Sequence, residues 1–182
     1  IIFDILGITI PDSITKPFNI LIVISPALLW LVISYFREMR VQEPRERLGL
    51  VFVLSILAAN AIGIALLDDF LNVDEWLSLE DTLSRIIGYM ITVGLVQEGL
   101  KYLILRYTIW PQNLRIRLDS VAYAVAASIG YATVVNLHFI STGVSSPSTV
   151  MYRVLFTVGL HITSSIIMSY GLSELHFSRG NL

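Results

Sequence analysis

Long runs of apolar residues are the feature of this sequence that most restricts how the chain folds. Every backbone polar group in a bilayer must be hydrogen-bonded within the protein, and a spanning helix needs about 20 largely apolar residues. Five stretches match this requirement: 17–36, 48–67, 86–109, 121–140 and 152–170. Only 14% of the residues are charged, against about a quarter in a soluble domain. The sequence therefore predicts an all-α, polytopic transmembrane helical bundle that forms a single membrane domain over residues 1–182.

The rest of the composition excludes several classes of protein. A formal net charge of -2 gives no support for a nucleic-acid partner. The absence of cysteine excludes disulfides, thiolate nucleophiles and cysteine-rich metal sites, so a metal would need His, Asp or Glu. The chain begins with Ile1, and residues 1–10 are too short for a signal peptide and lack a basic residue. We therefore expect the sequence to be an internal piece of a longer protein.

Charged residues between the spans predict the orientation in the membrane. Short cytoplasmic loops are enriched in Lys and Arg, and the loop 37–47 contains four arginines. Arg106, Arg115 and Arg117 flank the loop between the third and fourth spans, whereas residues 68–81 contain six acidic residues and no basic one. These patterns place the visible N-terminus outside and the C-terminus in the cytoplasm, and we expect the protein in the cell membrane, inner or plasma, with lipid around it.

Two charged residues in the third span need a physical explanation. A charged residue at the centre of a bilayer helix costs about 2.5 to 3.5 kcal/mol on insertion scales, and such residues face the bundle interior or a water-filled cavity. Glu98 and Lys101 are three residues apart and therefore share a helix face. A self-neutralising structural pair and a functional cavity both account for them, and the sequence alone leaves both open.

Depth along the helices indicates which polar groups meet. Glu98 lies ten residues before Thr108, about 15 Å from the cytoplasmic end at 1.5 Å per residue. His161 lies nine residues before Tyr170 in a span that runs the same way, so it should be at the same depth. The spacing therefore favours one site shared by Glu98 and His161.

Other polar residues in the last two spans are weaker candidates. The level of Glu98 on the fourth span falls near Gly130, which puts Asn136 and His138 one and a half to two turns closer to the outer face. Asn136 could bridge helices, and His138 could be a packing residue. Asp119, where the span begins, is better explained as an N-terminal helix residue favoured by the helix dipole. We expect three serines of the last span to bond to their own helix, with no base beside them: Ser164, Ser165 and Ser169.

Small residues repeat along one face of the fourth span, at Ala124, Ser128 and Ala132, and more weakly in the second span at Ala59 and Gly63. In lipid such faces allow helices to approach closely. They could hold the bundle together, frame an active site, or do both.

Four short patterns on consecutive spans are similar to those of a known family. They are Gln97-Glu-Gly-Leu-Lys101, Asp119-Ser-Val-Ala-Tyr-Ala, Gly130-Tyr-Ala-Thr-Val-Val-Asn136, and Arg153 followed by Gly-Leu-His161. Together they resemble the PrsW family of intramembrane proteases, which is related to the CAAX-processing and bacteriocin-processing membrane proteases. The resemblance covers about residues 94–171 and implies a membrane-anchored protein as substrate or partner.

The resemblance implies roles for particular residues, and two positions depart from the family pattern. The family's Glu-Glu-x-x-Lys maps onto Gln97, Glu98 and Lys101, and its Gly-Phe-Ala-x-x-Glu-Asn ends at Asn136. Gln97 and Val135 therefore stand where the pattern has Glu. Gln97 could be an engineered inactivating change, whereas Val135 suggests a divergent or inactive member.

The chemistry implied is peptide-bond hydrolysis, with Glu98 as general base for a water held between it and His161. His161 would assist proton transfer or stabilise the oxyanion, and Lys101 would tune Glu98 or neutralise developing charge. A divalent metal such as zinc, bound by His161, His138 and Glu98, is the less favoured alternative because His138 is at another depth.

Two further functions remain open at this point. The missing carboxylates at Gln97 and Val135 suit a catalytically inactive membrane scaffold or subunit. A transporter or channel domain is the third, since intramembrane Glu and Lys also mark ion pathways, although the sequence contains no internal repeat.

Overall fold

The computed structural model describes residues 12–37, 45–110, 114, 116–143 and 145–178. Within these residues the chain forms helices and no strand, which confirms the all-α prediction. In chain order the elements are α1 (Asp12–Arg37), α2 (Arg45–Ala58), π1 (Ala59–Phe70), α3 (Val73–Leu77), α4 (Thr82–Tyr89), π2 (Met90–Gly94), α5 (Leu95–Thr108), α6 (Arg117–Thr142) and α7 (Pro147–Ser178). The two π elements are wider helical turns that continue the α-helices next to them.

Among the described residues, four helices are long and apolar enough to cross a membrane. They are Ile14–Tyr35, Glu46–Phe70, Leu118–Thr142 and Pro147–Ser178. Each belongs to a helix that extends beyond the corresponding predicted span at both ends, most clearly α7, which ends at Ser178 rather than near residue 170. The chain is therefore an integral membrane protein with a helical bundle.

The third predicted span, 86–109, is helical along almost its whole length but differs from the other four. Helix runs from Thr82 to Thr108 through α4, π2 and α5. This stretch is not among the helices apolar enough to span, and it is the one that carries Glu98 and Lys101. Its crossing of the membrane stays a prediction. So does the orientation, because most of the basic loop (38–44), Arg115 and residues 179–182 lie outside the described residues.

Helix α6 is the central element of the bundle. In its most apolar window 72% of the residues are buried, against 17% in α1, 28% in α2 with π1, and 22% in α7. The small residues at 124, 128 and 132 are all fully buried, as the sequence pattern indicated. Helix α6 packs most extensively against α7 and next against α2, so its small side chains allow both neighbours to approach closely.

Two glycines mark the closest approaches to α6. A Cβ at Gly130 of α6 would lie 2.6 Å from the backbone carbonyl oxygen of Phe52 in α2. At Gly63 of π1 a Cβ would collide with the hydroxyl of Tyr131. The first contact fixes the spacing between α2 and α6, and the second lets the phenol of Tyr131 reach π1.

The acidic segment 68–81, predicted as a loop, contains the end of π1 and the short helix α3, and α4 begins directly after it. Asp81 accepts hydrogen bonds from the backbone amides of Leu83 and Ser84 at 3.1 and 3.4 Å, which caps α4. Hydrogen bonding by the Ser84 side chain, and then by its backbone amide, lowers the pKa of Asp81 below its ordinary value. Arg85 donates to three backbone carbonyls of the same segment, so the segment is tied to α4.

Replacing Gly130 by alanine should destabilise the protein, because the added methyl group meets a backbone carbonyl that has no rotamer with which to move away. We expect a loss of about 1 to 3 kcal/mol, the range found for overpacked cores. Gly159→Ala is the matched control: its Cβ would have nothing within 4 Å, and alanine is favoured over glycine in a helix by about 1 kcal/mol. Unfolding in detergent measures both, and equal stabilities would contradict the close α2–α6 contact.

Candidate active site

A cavity of about 1080 Å³ lies between π1, π2, α5, α6 and α7. It is larger than the roughly 300–1,000 Å³ of common ligand pockets and has room for a peptide segment. Its wall includes Asp68 and Asp74 toward one end, and Glu98, His161 and Ser164 toward the other. The cavity therefore connects the acidic segment with the polar residues of the bundle interior.

Three of the predicted residues meet here, with Glu98 and His161 at the cavity wall and Lys101 behind it. The Nζ atom of Lys101 lies 2.5 Å from Oε1 of Glu98 and 2.9 Å from Nδ1 of His161. The distance from Glu98 Oε1 to His161 Nδ1 is 3.7 Å. Glu98 and His161 are thus brought together as their common depth predicted, but the ammonium group of Lys101 contacts both. The sequence spacing pairs Lys101 with Glu98 alone and does not predict the contact of Lys101 with His161.

The contact with Lys101 determines where the proton of His161 lies. A charged ammonium group only donates hydrogen bonds, so we assign Nδ1 of His161 as the acceptor and place the ring proton of the neutral imidazole on Nε2. The hydroxyl of Ser128 also donates to the backbone carbonyl of His161 at 2.9 Å, which ties α6 to α7 at this level. The imidazole is therefore held in one tautomer and at one height in the bundle.

Two serines of α7 complete the surroundings of Glu98. The hydroxyl of Ser164 donates to Oε1 at 2.6 Å and that of Ser165 donates to Oε2 at 2.9 Å. The expectation that no base lies beside these serines was wrong, because the Glu98 carboxylate is next to both. The expected bonding within the helix holds for Ser164, whose hydroxyl also lies 2.9 Å from the carbonyl oxygen of Leu160 and 3.2 Å from that of His161. Ser169 does bond to its own helix, at the carbonyl of Ile166. The sequence spacing could have indicated the contact with Glu98, because Ser164 and Ser165 lie about one helical turn after His161, the residue expected to meet Glu98.

The members of this cluster differ in their access to the cavity. The side chain of Lys101 is 0% exposed and that of His161 is 8% exposed, whereas 26% of the Glu98 side chain is accessible. Glu98 and His161 line the cavity, and Lys101 lies behind them. A molecule in the cavity would meet the carboxylate and the imidazole, not the ammonium.

Tyr131 is a further member that the sequence placed in a motif without giving it a role. Its ring centroid lies 5.5 Å from that of His161 and 5.7 Å from Nζ of Lys101. The second distance is within the range of a cation–π contact, which adds to the stabilisation of the buried ammonium. Tyr131 therefore packs against both residues that face Glu98.

The structure separates the weaker candidates from this cluster. His138 lines the same cavity, but its Nε2 atom lies 2.8 Å from Oδ2 of Asp68. Asn136 is buried, is not part of the described cavity wall, and has no hydrogen-bond partner for either amide atom among the described residues. Asp119 accepts a hydrogen bond from the amide of Ile116 at 2.8 Å at the start of α6, the interaction of an N-terminal helix residue. Gln97 and Val135 both line the cavity.

The donor atoms do not form a metal site in the part of the chain that the structure describes. No group of three or more His, Cys, Asp or Glu side chains there could hold a metal ion. The zinc ligands considered from sequence are divided, because His138 is bonded to Asp68. The ammonium of Lys101 also contacts both Nδ1 of His161 and Oε1 of Glu98, and a cation there would be repelled.

A double-mutant cycle between Glu98→Gln and Lys101→Met should show strong coupling. Removing either partner leaves the other charge in a largely desolvated site, so we expect a coupling energy of about 1 to 3 kcal/mol from unfolding in detergent. The matched cycle, Asp68→Asn with His138→Gln, concerns side chains that are 48% and 37% exposed, and should give less than about 1 kcal/mol. Similar values in the two cycles would contradict the buried position of Lys101.

Comparison with known proteins places the chain in a family. A family model described as PrsW family intramembrane metalloprotease matches residues 43–181. No curated protein and no solved structure gives a match. The matched region includes α2 and every helix that lines the cavity, and it extends well beyond residues 94–171, to which the motifs alone pointed. The chain therefore belongs to the PrsW family of intramembrane metalloproteases.

Proposed function

We propose that the chain is an active intramembrane peptidase that hydrolyses membrane-anchored proteins, with Glu98 as the general base. One observation carries the proposal. The Glu98 carboxylate accepts hydrogen bonds from Lys101, Ser164 and Ser165 and yet keeps 26% of its side chain accessible at the wall of the cavity. A structural ion pair has no need of an accessible carboxylate, whereas a base must reach the water that it deprotonates.

The first step is the activation of water. Glu98 takes a proton from a water in the cavity, and the resulting hydroxide attacks the carbonyl carbon of the scissile peptide bond. The donors on Glu98 fix the direction of its remaining lone pairs, so the water is held at a defined position relative to the peptide. Lys101 acts as a positioning residue, since it is fully buried and contacts Glu98 and His161 rather than the cavity.

The second step is the stabilisation of the tetrahedral intermediate. His161 lines the cavity, and because Nδ1 accepts from Lys101, its Nε2–H is the donor available to an oxyanion. Preorganised donors of this kind contribute about 2.7–4 kcal/mol each in other hydrolases. Glu98 then delivers the proton taken from water to the leaving amine, which breaks the C–N bond.

The family description implies a metal, and the described residues do not fit one. The two positions at which the family pattern has additional carboxylates are Gln97 and Val135, both at the cavity wall. An amide is a weak metal ligand and valine is none. We therefore assign no step of the reaction to a metal.

The same two positions favour a second candidate, a catalytically inactive membrane scaffold. Gln97 and Val135 remove two carboxylates from the cavity that holds Glu98. If those carboxylates are needed for hydrolysis, the cavity serves as a binding surface only. Cleavage assays with the wild-type chain separate the two candidates.

Glu98→Gln should abolish cleavage of a single-span membrane substrate in detergent or proteoliposomes, because glutamine does not take a proton from water. His161→Gln should do the same by removing the oxyanion donor. Loss of a general acid–base residue lowers kcat by about 10²–10⁴. Ser169→Ala is the matched control in α7, since among the described residues Ser169 bonds to the carbonyl of Ile166 and to no group of the cavity, and it should cleave normally. Normal cleavage by folded Glu98→Gln would refute the assigned role.

Restoring carboxylates at positions 97 and 135 tests the hypothesis of an inactive scaffold. If the wild-type chain cleaves nothing, Gln97→Glu combined with Val135→Glu should generate hydrolysis under the inactive-member hypothesis. Wild-type activity that depends on Glu98 would exclude the scaffold, and no activity in either protein would exclude the peptidase.

Removal of divalent cations should leave cleavage unchanged, because the Lys101 ammonium contacts the two side chains that a metal would need. The measurement is the cleavage rate before and after dialysis against a chelator, together with the metal content of the purified protein. A stoichiometric metal whose removal abolishes cleavage, and whose return restores it, would contradict the donor-set argument.

A further inference from the structure

Arg153 of α7 presents a guanidinium group to the same cavity. Its Cζ atom lies 4.0 Å from the ring centroid of Phe139, and both residues line the cavity wall. Its Nε atom is buried without a hydrogen-bond partner, and no described carboxylate lies within ion-pair distance. A buried polar group without a partner costs about 1–3 kcal/mol, so Arg153 needs an explanation other than stability.

Asp74 attracts the charge of Arg153 from beyond ion-pair distance, but both acidic residues at this end of the cavity have another hydrogen-bond partner. Asp68 is bonded to His138 at 2.8 Å, and Asp74 accepts from the hydroxyl of Tyr89 at 2.5 Å. The guanidinium group therefore has donors available to a molecule that enters the cavity. The nearby negative charges disfavour a polyanion and leave room for a single negative group.

Two other arginines of this protein make contacts of a structural kind and serve as a comparison for Arg153. Arg85 donates to the carbonyls of Leu77, Ser78 and Glu80. Arg106 stacks on the ring of Trp110 at 3.6 Å and is not part of the described cavity wall. Arg153 shares the aromatic contact of Arg106 but, unlike it, faces the cavity.

The position of Arg153 along α7 sets its distance from the reaction. Arg153, Thr157, His161 and Ser164 all line the cavity and follow one face of the helix. The eight residues from Arg153 to His161 correspond to a rise of about 12 Å. An extended peptide covers that distance in about three or four residues at roughly 3.3 Å each.

We propose that Arg153 binds a carboxylate of the peptide substrate, three or four residues from the bond that is hydrolysed at Glu98. This inference rests on the proposed peptidase function and adds a specificity residue to it. Guanidinium recognises carboxylate through two parallel hydrogen bonds, and the face contact with Phe139 leaves the edge of the guanidinium plane free for them. The carboxylate is either an Asp or Glu side chain or the C-terminus of the substrate.

Binding to the Glu98→Gln variant tests the proposal without any cleavage. The probes are fluorescent single-span peptides with Glu or Gln at each position up to four residues on either side of the bond that the wild-type chain cuts. If the wild-type chain cuts no bond, Glu or Gln is placed at each position near the membrane boundary. Each is made with a free and with an amidated C-terminus. We expect one carboxylate to improve binding about tenfold or more, as a charge-assisted pair does. A response to Glu identifies a side chain, and a response to amidation identifies the C-terminus.

Variants of Arg153 then assign the preference. Arg153→Met should remove it, Arg153→Lys should keep part of it, and Arg106→Met should keep all of it, since that residue also stacks on an aromatic ring but outside the cavity. Equal binding of all peptides by Glu98→Gln, or a preference that survives in folded Arg153→Met, would overturn the proposal. A preference that depends on Arg153 in a chain with no cleavage activity would support the binding site and refute the peptidase instead.

Discussion

The contact between the ammonium of Lys101 and two partners, the carboxylate of Glu98 and the imidazole of His161, is the interaction on which the rest of the structure depends. A lysine with no exposed surface in a membrane protein is tolerable only when its charge is compensated and its protons are accepted. Glu98 supplies the charge and an acceptor, His161 supplies a second acceptor, and the ring of Tyr131 adds a cation–π contact. Each partner is constrained in return. The carboxylate is held at the cavity wall and the imidazole is held in the tautomer that leaves Nε2–H free. The contacts that lower the free-energy cost of burying Lys101 thus also hold the Glu98 carboxylate and the His161 imidazole in place at the site.

The bundle is built so that this contact can form. Helix α6 has small side chains where its neighbours approach, and at Gly130 it lies against the backbone of α2. Wide helical turns in π1 and π2 flank the cavity, and such turns often occur at functional sites because they displace side chains from the regular helical positions. Gly63 in π1 leaves space for the hydroxyl of Tyr131. Helix α6 thus combines close packing on one side with a cavity on the other. Its small residues at 124, 128 and 132 are buried in the packed side and do not line the cavity, so the idea that they frame an active site stays a prediction.

Much of this arrangement follows from the sequence. The parts that do not follow from it have physical reasons that can be named. Apolar length predicts the helices, and a fixed rise per residue places Glu98 and His161 at one level. The rotation of α5 about its axis is not encoded in any single periodicity, so the contact between Lys101 and His161 was missed. His138 could have been paired with Asp68 in advance, since both lie toward the same end of the bundle. The predicted second span, however, ends at residue 67, whereas π1 continues the helix to Phe70 and therefore includes Asp68. The sequence favours bonding of Ser164 and Ser165 to their own helix, because a local hydrogen bond is always available to serine. Only the tertiary structure shows the carboxylate beside them.

The state of His161 tests the central claim most directly. The chain has three histidines, so nitrogen NMR of protein labelled only at histidine, with assignment by His161→Gln, resolves the proton on each ring. The account predicts that at neutral pH His161 is neutral, carries its proton on Nε2, and accepts a hydrogen bond at Nδ1. In Lys101→Met the Nδ1 signal should change while those of the other two histidines stay the same. A proton on Nδ1 of His161, or an Nδ1 signal that is unaffected by Lys101→Met, would contradict the account.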